Sequence, residues 1–406
     1  MIFYFLITFL IIMSTSLVFP KIWRCGYKWG KKNSFIMEKR MRILLCLLGV
    51  FLLSSAYSNP AEAELRLRAA QIADSMDIKT LAAQVILTAA EGKATLTERT
   101  RSLLADIPAG GIVLFGYNLA QNPEENRLFI EKLSGYVAGI TLPPFIASDQ
   151  EGGSVQRIKG KAALPPPLSY WERLKNSSAD TVIFAVEQEA NLAGQELRRI
   201  GVTLNLAPVV EVLTANNKAF LKDRSYGPDQ AFAVEASAAF IRGMGSSRIA
   251  STLKHFPGSS AVDPHYHKTV MAISEAELEI LLGPFRELIR KEMPASIMVS
   301  HIIIPSWDSI PLTRSPIAVK YLREMGFTGM IIADDFAMVA AGVSPEVGVV
   351  EALAAGVDMI IAWPKDLQKI YTAILVALEK GTLSTERVKE AAKQVIYQKI
   401  RYGVVK

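Results

Sequence analysis

From about residue 64 the chain alternates two kinds of hydrophobic pattern. Short apolar runs without polar alternation, several rich in Val and Ile, occur at Val85–Thr88, Gly111–Phe115, Phe145–Ser148, Val202–Ala207, Ile249–Leu253, Ser296–Ser300, Met330–Ala333 and Asp358–Ala362. Strands buried on both faces of a parallel sheet read this way. Between them lie stretches with helical spacing, among them Asp180 to Arg199, Gln230 to Gly245, Ser274 to Glu292 and Pro364 to Lys380. Eight strand-then-helix units predict an α/β fold, a (β/α)8 TIM-type barrel filling one catalytic domain over residues 64–406. A doubly wound open sheet has the same periodicity and stands as the alternative. No linker, low-complexity tract or repeat interrupts this part of the chain.

The first 63 residues follow another pattern. Two apolar runs, Ile2 to Phe19 and Ile43 to Ala56, flank a basic stretch. Glu38-Lys39-Arg40-Met41-Arg42 precede the second run, and small-x-small sites follow at Ala56-Tyr57-Ser58 and Ala61-Glu62-Ala63. A basic start, a short apolar core and such a site make a secretory signal, here starting near Met37 or Met41. The expectation is that residues 1–36 are an upstream extension and that the working protein begins near residue 59 or 64. It would be exported, periplasmic or extracellular. The alternative is a pair of membrane helices tethering the protein, with residues 21–42 on the cytoplasmic side. Cys46 lies inside its apolar run and not at the end, so a lipoprotein anchor is not supported.

This leader changes how charge and cysteine content are read. The chain of 406 residues has a net charge of +6, yet residues 1–60 hold eight Lys/Arg and one acid, leaving 37 bases against 38 acids in the rest. A neutral body carries no electrostatic footprint for nucleic acid. Membrane contact would come only through an uncleaved leader. Both cysteines, Cys25 and Cys46, also lie in the leader, so neither a disulfide nor a cysteine metal site supports the body. With 50% hydrophobic residues a large core is available, and disordered, collagen-like and disulfide-stapled classes are excluded.

In a parallel barrel, chemistry collects where strands end. Those points are unusually polar here. Asp149-Gln150-Glu151-Gly152-Gly153 follows the third run, with Arg157 close behind. Lys254-His255-Phe256-Pro257-Gly258 and then Asp263-Pro264-His265-Tyr266-His267 follow the fifth; Ser300-His301 ends the sixth and Asp334-Asp335 the seventh. All four histidines fall in this set. They lack helical i, i+4 ligand spacing, so no metal is expected.

Four segments carry a resemblance. Asp149-Gln150-Glu151-Gly152-Gly153-x-Val155-Gln156-Arg157, Arg224-Ser225-Tyr226-Gly227, Lys254-His255-Phe256-Pro257-Gly258 and Asp334-Asp335-Phe336-x-Met338 are similar, in order, to the motif series of family 3 glycoside hydrolases. They resemble most its single-domain β-N-acetylglucosaminidase branch, over roughly residues 70–400. The resemblance implies a retaining exo-enzyme that removes terminal β-linked GlcNAc from peptidoglycan fragments or chito-oligosaccharides, with no metal or organic cofactor. It makes Asp334 the nucleophile and Asp263-Pro264-His265 the acid/base dyad, with Asp335 structural. It gives Asp149, Arg157, Arg224, Lys254 and His255 the grip on the terminal sugar.

Duller roles remain open for several residues. Gly152-Gly153 and Pro257-Gly258 could simply shape turns, and Arg224 could pair with Asp223 or Asp229 on the surface. Trp171, Trp307 and Trp363 are core or sugar-stacking residues; sequence does not separate the two. His267 is expected to be a bystander and His301 to support the pocket wall. The sequence also departs from the branch: Ser259-Ser260 stand where it reads His-Gly, the dyad loop is about two residues shorter, and Pro264 replaces a small polar residue. A β-GlcNAc phosphorylase, a β-glucosidase of the same fold and a non-catalytic sugar-binding barrel therefore stay as alternatives.

Overall fold

The computed structural model describes residues 60–406; residues 1–59 of the leader lie outside the described residues, and its last four begin the helix Pro60–Asp74. Eight parallel strands form one sheet: β1 (Ile86–Ala89), β2 (Gly111–Leu114), β3 (Phe145–Ser148), β6 (Leu204–Asn205), β7 (Ala250–Phe256), β8 (Ser296–Val299), β9 (Met330–Ala333) and β10 (Ile360–Ala362). A short antiparallel hairpin, β4 (Gln150–Gly152) with β5 (Val155–Gln156), interrupts the series after β3. The sheet order runs β10-β1-β2-β3-β6-β7-β8-β9, and a bridge between Ile332 and Met359 joins β9 back to β10. The ring is a (β/α)8 barrel, not an open sheet. All eight strands overlap the eight apolar runs.

Helices surround the barrel and are capped by local chemistry. Ser178 accepts from the Thr181 N–H to start the helix Ala179–Ile200, which stops on Gly201 at φ +99°. Ser274 and Glu277 form a capping box at the start of the helix Glu275–Glu292. The helical stretches read from sequence match these elements to within a few residues.

Strand side chains alternate between two apolar layers. Ile86, Ile112, Ile146, Ile297, Ile331 and Ile360 face the helices. Leu87, Val113, Phe145, Ala147, Met298, Met330, Ile332 and Ile361 fill the barrel interior. The last helix, Thr385–Arg401, adds Val395 to that interior cluster, and Tyr402 and Val404 pack against it.

A second polar feature sits just before β1. Lys399 is fully buried, and its ammonium donates to Gln84 Oε1 at 2.8 Å; among the described residues no carboxylate pairs with it. Burial in this dry site lowers its pKa from 10.5 to about 7. The folded state therefore binds fewer protons than the unfolded chain between about pH 7 and 10, and stability rises with pH across that window. Lys399→Met is expected to be more stable than the parent at pH 7. The gap in unfolding free energy should shrink by roughly 2–4 kcal/mol between pH 7 and 10. A gap that stays constant in denaturant titrations at the two pH values would show that Lys399 titrates normally.

Candidate active site

The interior phase of each strand, carried one step past its end, decides which side chains reach the barrel mouth. On β3 the phase runs Phe145, Ala147, Asp149; on β9, Met330, Ile332, Asp334. The same count brings Phe115 after β2, Ser300 after β8 and Trp363 after β10. On β7, pairing with β8 shifts register between Leu253 and Phe256. Across that irregularity both Lys254 and His255 reach the same space. These residues line one pocket of about 280 Å³ with Glu151, Arg157, Arg224, Ser259 and His265. Its size is just below the usual range for small-molecule sites, roughly 300–1,000 Å³. That suits a single sugar ring.

One flank of the pocket is an ion cluster. Asp149 accepts from Lys254 Nζ at 3.0 Å and from Arg157 Nη2 at 3.2 Å. Glu151, almost completely buried, takes the same Lys254 ammonium at 2.7 Å and holds Arg224 through two bonds of 2.7 and 2.9 Å. Burial opposes ionisation of both acids, but Lys254 and Arg157 outweigh it at Asp149, whose pKa falls to about 2. Lys254 and Arg224 likewise hold Glu151 below the ordinary carboxylate range. Burial pulls the Lys254 pKa down, and Glu151 with Asp149 more than reverses it. Asp149, Glu151 and Lys254 are thus each held in their charged forms by their neighbours. Arg224 pairs with buried Glu151 and not with Asp223, whose carboxylate takes the Ser154 hydroxyl.

The hairpin that carries Glu151 depends on its glycines. Gly152 has φ +107°, and a Cβ there would lie 2.3 Å from the Pro165 carbonyl oxygen. Gly153 has φ +56°. Both shape the turn, and through the turn they aim Glu151.

His255 has its own carboxylate. Glu211 Oε1 lies 2.9 Å from His255 Nδ1 and also accepts from the His255 backbone N–H and the Ser259 hydroxyl, at 3.1 and 2.9 Å. With Nδ1 engaged by Glu211, Nε2 is the ring nitrogen left for a ligand. Ser259 thus anchors the start of the dyad loop to the base of the His255 site.

The dyad is held by a local chelate. Asp263 Oδ1 accepts from His265 Nδ1 at 2.7 Å and from its backbone N–H at 2.9 Å. Burial works against the Asp263 charge, but the two His265 bonds keep its pKa below the usual value. The loop docks on the segment after β9, where Ala340 N–H donates to the Pro264 carbonyl at 3.1 Å and Val339 N–H to that of His265. Its far end is tied by a bridge between Val270 and Ile303. His265 lines the pocket with its side chain half exposed, and Asp263 stands behind it.

Asp334 Oδ1 accepts from the Asp335 backbone N–H at 2.9 Å. The Asp335 carboxylate is out of phase with the interior and is occupied by Trp363 Nε1 at 2.5 Å and Ala337 N–H at 2.9 Å. Burial raises its pKa. His301 is buried between Thr313 Oγ1 at 2.7 Å and the Asp335 carbonyl at 2.9 Å, and burial lowers its pKa. It supports the Asp334-Asp335 segment from behind. His267 does not line the pocket. Trp171 packs on Phe232 and Trp307 stacks on Tyr321, both at the core, while Trp363 lines the pocket.

Residues 75–397 match the N-terminal domain of glycosyl hydrolase family 3. The chain belongs to that family. It is a glycoside hydrolase, acting on O-glycosyl bonds. Among its relatives is a beta-hexosaminidase of Methylococcus capsulatus, 33% identical over 298 residues, which span 71% of this chain and 85% of that protein. A beta-hexosaminidase of Vibrio cholerae is 32% identical over 270 residues, 66% of this chain and 78% of that one. The fold superposes on a family 3 beta-N-acetylglucosaminidase of Paenibacillus sp. with a TM-score of 0.75 and 26% identity. That match covers 81% of this chain but only 63% of the longer Paenibacillus protein. A family 3 member from Mycobacterium smegmatis matches with a TM-score of 0.69 and 25% identity, over 82% and 98% of the two chains.

Sequence reasoning placed seven of the lining residues and overlooked Glu151 and Glu211. A signal for Glu151 was present. Lys254 and Arg224, once buried together, need more counter-charge than Asp149 supplies. Removing Glu151 leaves two buried cations short of a partner, a change that typically costs about 3–5 kcal/mol. Glu151→Ala is expected to lose stability on that scale in urea unfolding, and Glu151→Asp, which keeps the charge, to lose less. Equal losses for the two would show that packing, not charge, holds the cluster.

Proposed function

We propose that the protein is a retaining exo-β-N-acetylglucosaminidase that releases terminal GlcNAc from peptidoglycan fragments or chito-oligosaccharides. The observation that carries this reading is the shared pocket: Asp334 and the His265 ring, backed by Asp263, line one cavity of single-sugar size with the charged cluster. Membership of the family supports glycoside hydrolysis, the beta-hexosaminidase names of the Methylococcus and Vibrio relatives support a hexosamine, and the name of the Paenibacillus enzyme supports GlcNAc.

In the first step an Asp334 carboxylate oxygen bonds to the anomeric carbon while the bond to the leaving oxygen breaks. His265, as the imidazolium, gives that oxygen its Nε2 proton. In the second step water loses a proton to Nε2, its oxygen bonds to the anomeric carbon and Asp334 departs. Two displacements retain configuration. Asp263 on Nδ1 keeps the ring oriented and stabilises its charged form. Asp149, Arg157, Arg224, Lys254 and His255 Nε2 offer donors and acceptors to the hydroxyls of the terminal ring, bonds that can tighten as it flattens. None of these roles needs a metal or an organic cofactor.

The leader adds a proposal of place. Export to the periplasm or outside would bring such an enzyme to wall sugars, and N-terminal sequencing of the exported protein is expected to start near residue 59 or 64. Retention of residues 2–20 would favour the membrane tether.

The protein is expected to release nitrophenol from 4-nitrophenyl β-GlcNAc, much less from the glucose analogue, and at a rate indifferent to phosphate. Asp334→Ala should abolish this. His265→Ala should lose more activity on natural sugars than on the nitrophenyl compound, whose leaving group needs little proton assistance. Phosphate dependence would move the reading to a phosphorylase. A folded protein that binds GlcNAc without turnover would move it to a binding barrel.

A further inference from the structure

The two sides of the barrel mouth differ in chemistry. The strands β3 and β7 and the loops beside them supply charge. β2, the neighbour of β3, and β10 supply aromatic rings, the Phe115 ring lying under the Arg157 guanidinium at 5.8 Å, and these rings do not stop at the pocket. Trp363 stacks on Phe115 with ring centroids 4.9 Å apart and planes 12° from parallel. Phe115 in turn stacks on Tyr117 at 5.8 Å and 10°. Trp363 and Phe115 line the pocket, whereas Tyr117 does not line it and is 52% exposed. Three near-parallel rings thus form a staircase from the pocket wall to solvent.

The exposed step is rigid. Tyr117 sits in a single 3-10 turn, Gly116–Asn118. The fully buried Asn118 side chain pins that turn, donating to the Ala90 and Gly92 carbonyls at 2.9 Å each and accepting from the Phe115 N–H at 3.0 Å. The space beside the turn is open, since a Cβ built at Gly116 meets nothing within 4 Å. A large aromatic residue fixed in place next to an empty approach is pre-organised for contact, because little freedom remains to be lost on binding.

From this placement we infer that Tyr117 is the platform for the second sugar ring of the substrate, the one on the far side of the bond to be cut. The inference rests on the glycosidase reading above. The pocket is of single-ring size, so the next ring of a β-linked chain leaves through the mouth, where the staircase offers an apolar surface of stacked rings continuous with the pocket. The axial C–H face of a pyranose suits a flat aromatic face. The occupant is therefore a β-linked sugar residue, recognised by stacking and not by hydrogen bonds.

The test compares kcat/KM for the β-1,4-linked GlcNAc disaccharide with that for methyl β-GlcNAc, whose aglycone is too small to reach Tyr117. In Tyr117→Ser the ratio of the two constants should fall about fivefold to tenfold, the scale of an aromatic contact. Tyr117→Phe, which keeps the ring face, should hold the parent ratio. An unchanged ratio in Tyr117→Ser overturns the subsite, and an equal fall in Tyr117→Phe overturns stacking as its basis. No turnover of either compound by the parent overturns the glycosidase reading and the subsite with it. Turnover of both with an unmoved ratio overturns the subsite alone.

Discussion

The barrel mouth depends on one carboxylate. Glu151 sits between Lys254 and Arg224 and leaves neither cation in the dry strand ends without a partner. Each ion of the group would be costly to bury alone, and together they are stable only in a narrow geometry. That condition ties together the hairpin after β3, the end of β7 and the loop that carries Arg224. Arg157 and Asp149 extend it to a second layer. The glycines of the hairpin, the register shift in β7 and the pairing of Arg224 each help to place these charges together. A ligand hydroxyl entering the pocket meets dipoles and charges that are already ordered.

The other side of the mouth follows a different rule. Phe115 and Trp363 extend apolar runs by one residue in the interior phase, so the barrel core continues upward as a wall that carries no charge of its own, with the Arg157 guanidinium over Phe115. Only Trp363 has a polar atom there, and Asp335 accepts from it. This contact links the aromatic wall to the segment that holds Asp334. The same segment receives the dyad loop through Val339 and Ala340. The segment that carries Asp334 is therefore in contact with both the His265 loop and the aromatic wall, and a shift in it would disturb all three.

What could be read from sequence followed local rules. The eight strands were legible because runs buried on both faces have a distinct pattern, and the period of two even separates Asp334 from Asp335. Closure of the barrel was not legible, since the bridge between Ile332 and Met359 joins ends whose pattern is the same in an open sheet. Glu211 was missed because its partner His255 is 44 residues away, and nothing in Val209–Val212 marks a carboxylate that points at a histidine. Trp363 was ambiguous for a related reason. A ring that ends an apolar run has the same sequence signature whether it packs in the core or faces a ligand.

The dyad loop shows how hydrogen bonds can deliver a ring to the pocket. A long loop brings its tip over a site at the expense of backbone freedom, and it needs contacts to stay there. Here the tip is tightened from within. Asp263 binds both the backbone and the ring of His265, while Pro264 between them has its φ already set. The carbonyls that such a turn exposes are then used, as acceptors for the N–H groups of Val339 and Ala340. Ser259 at the other end ties the loop to Glu211, and thus to His255. With both ends and the tip fixed by hydrogen bonds, reach comes from where the loop is anchored and not from its length.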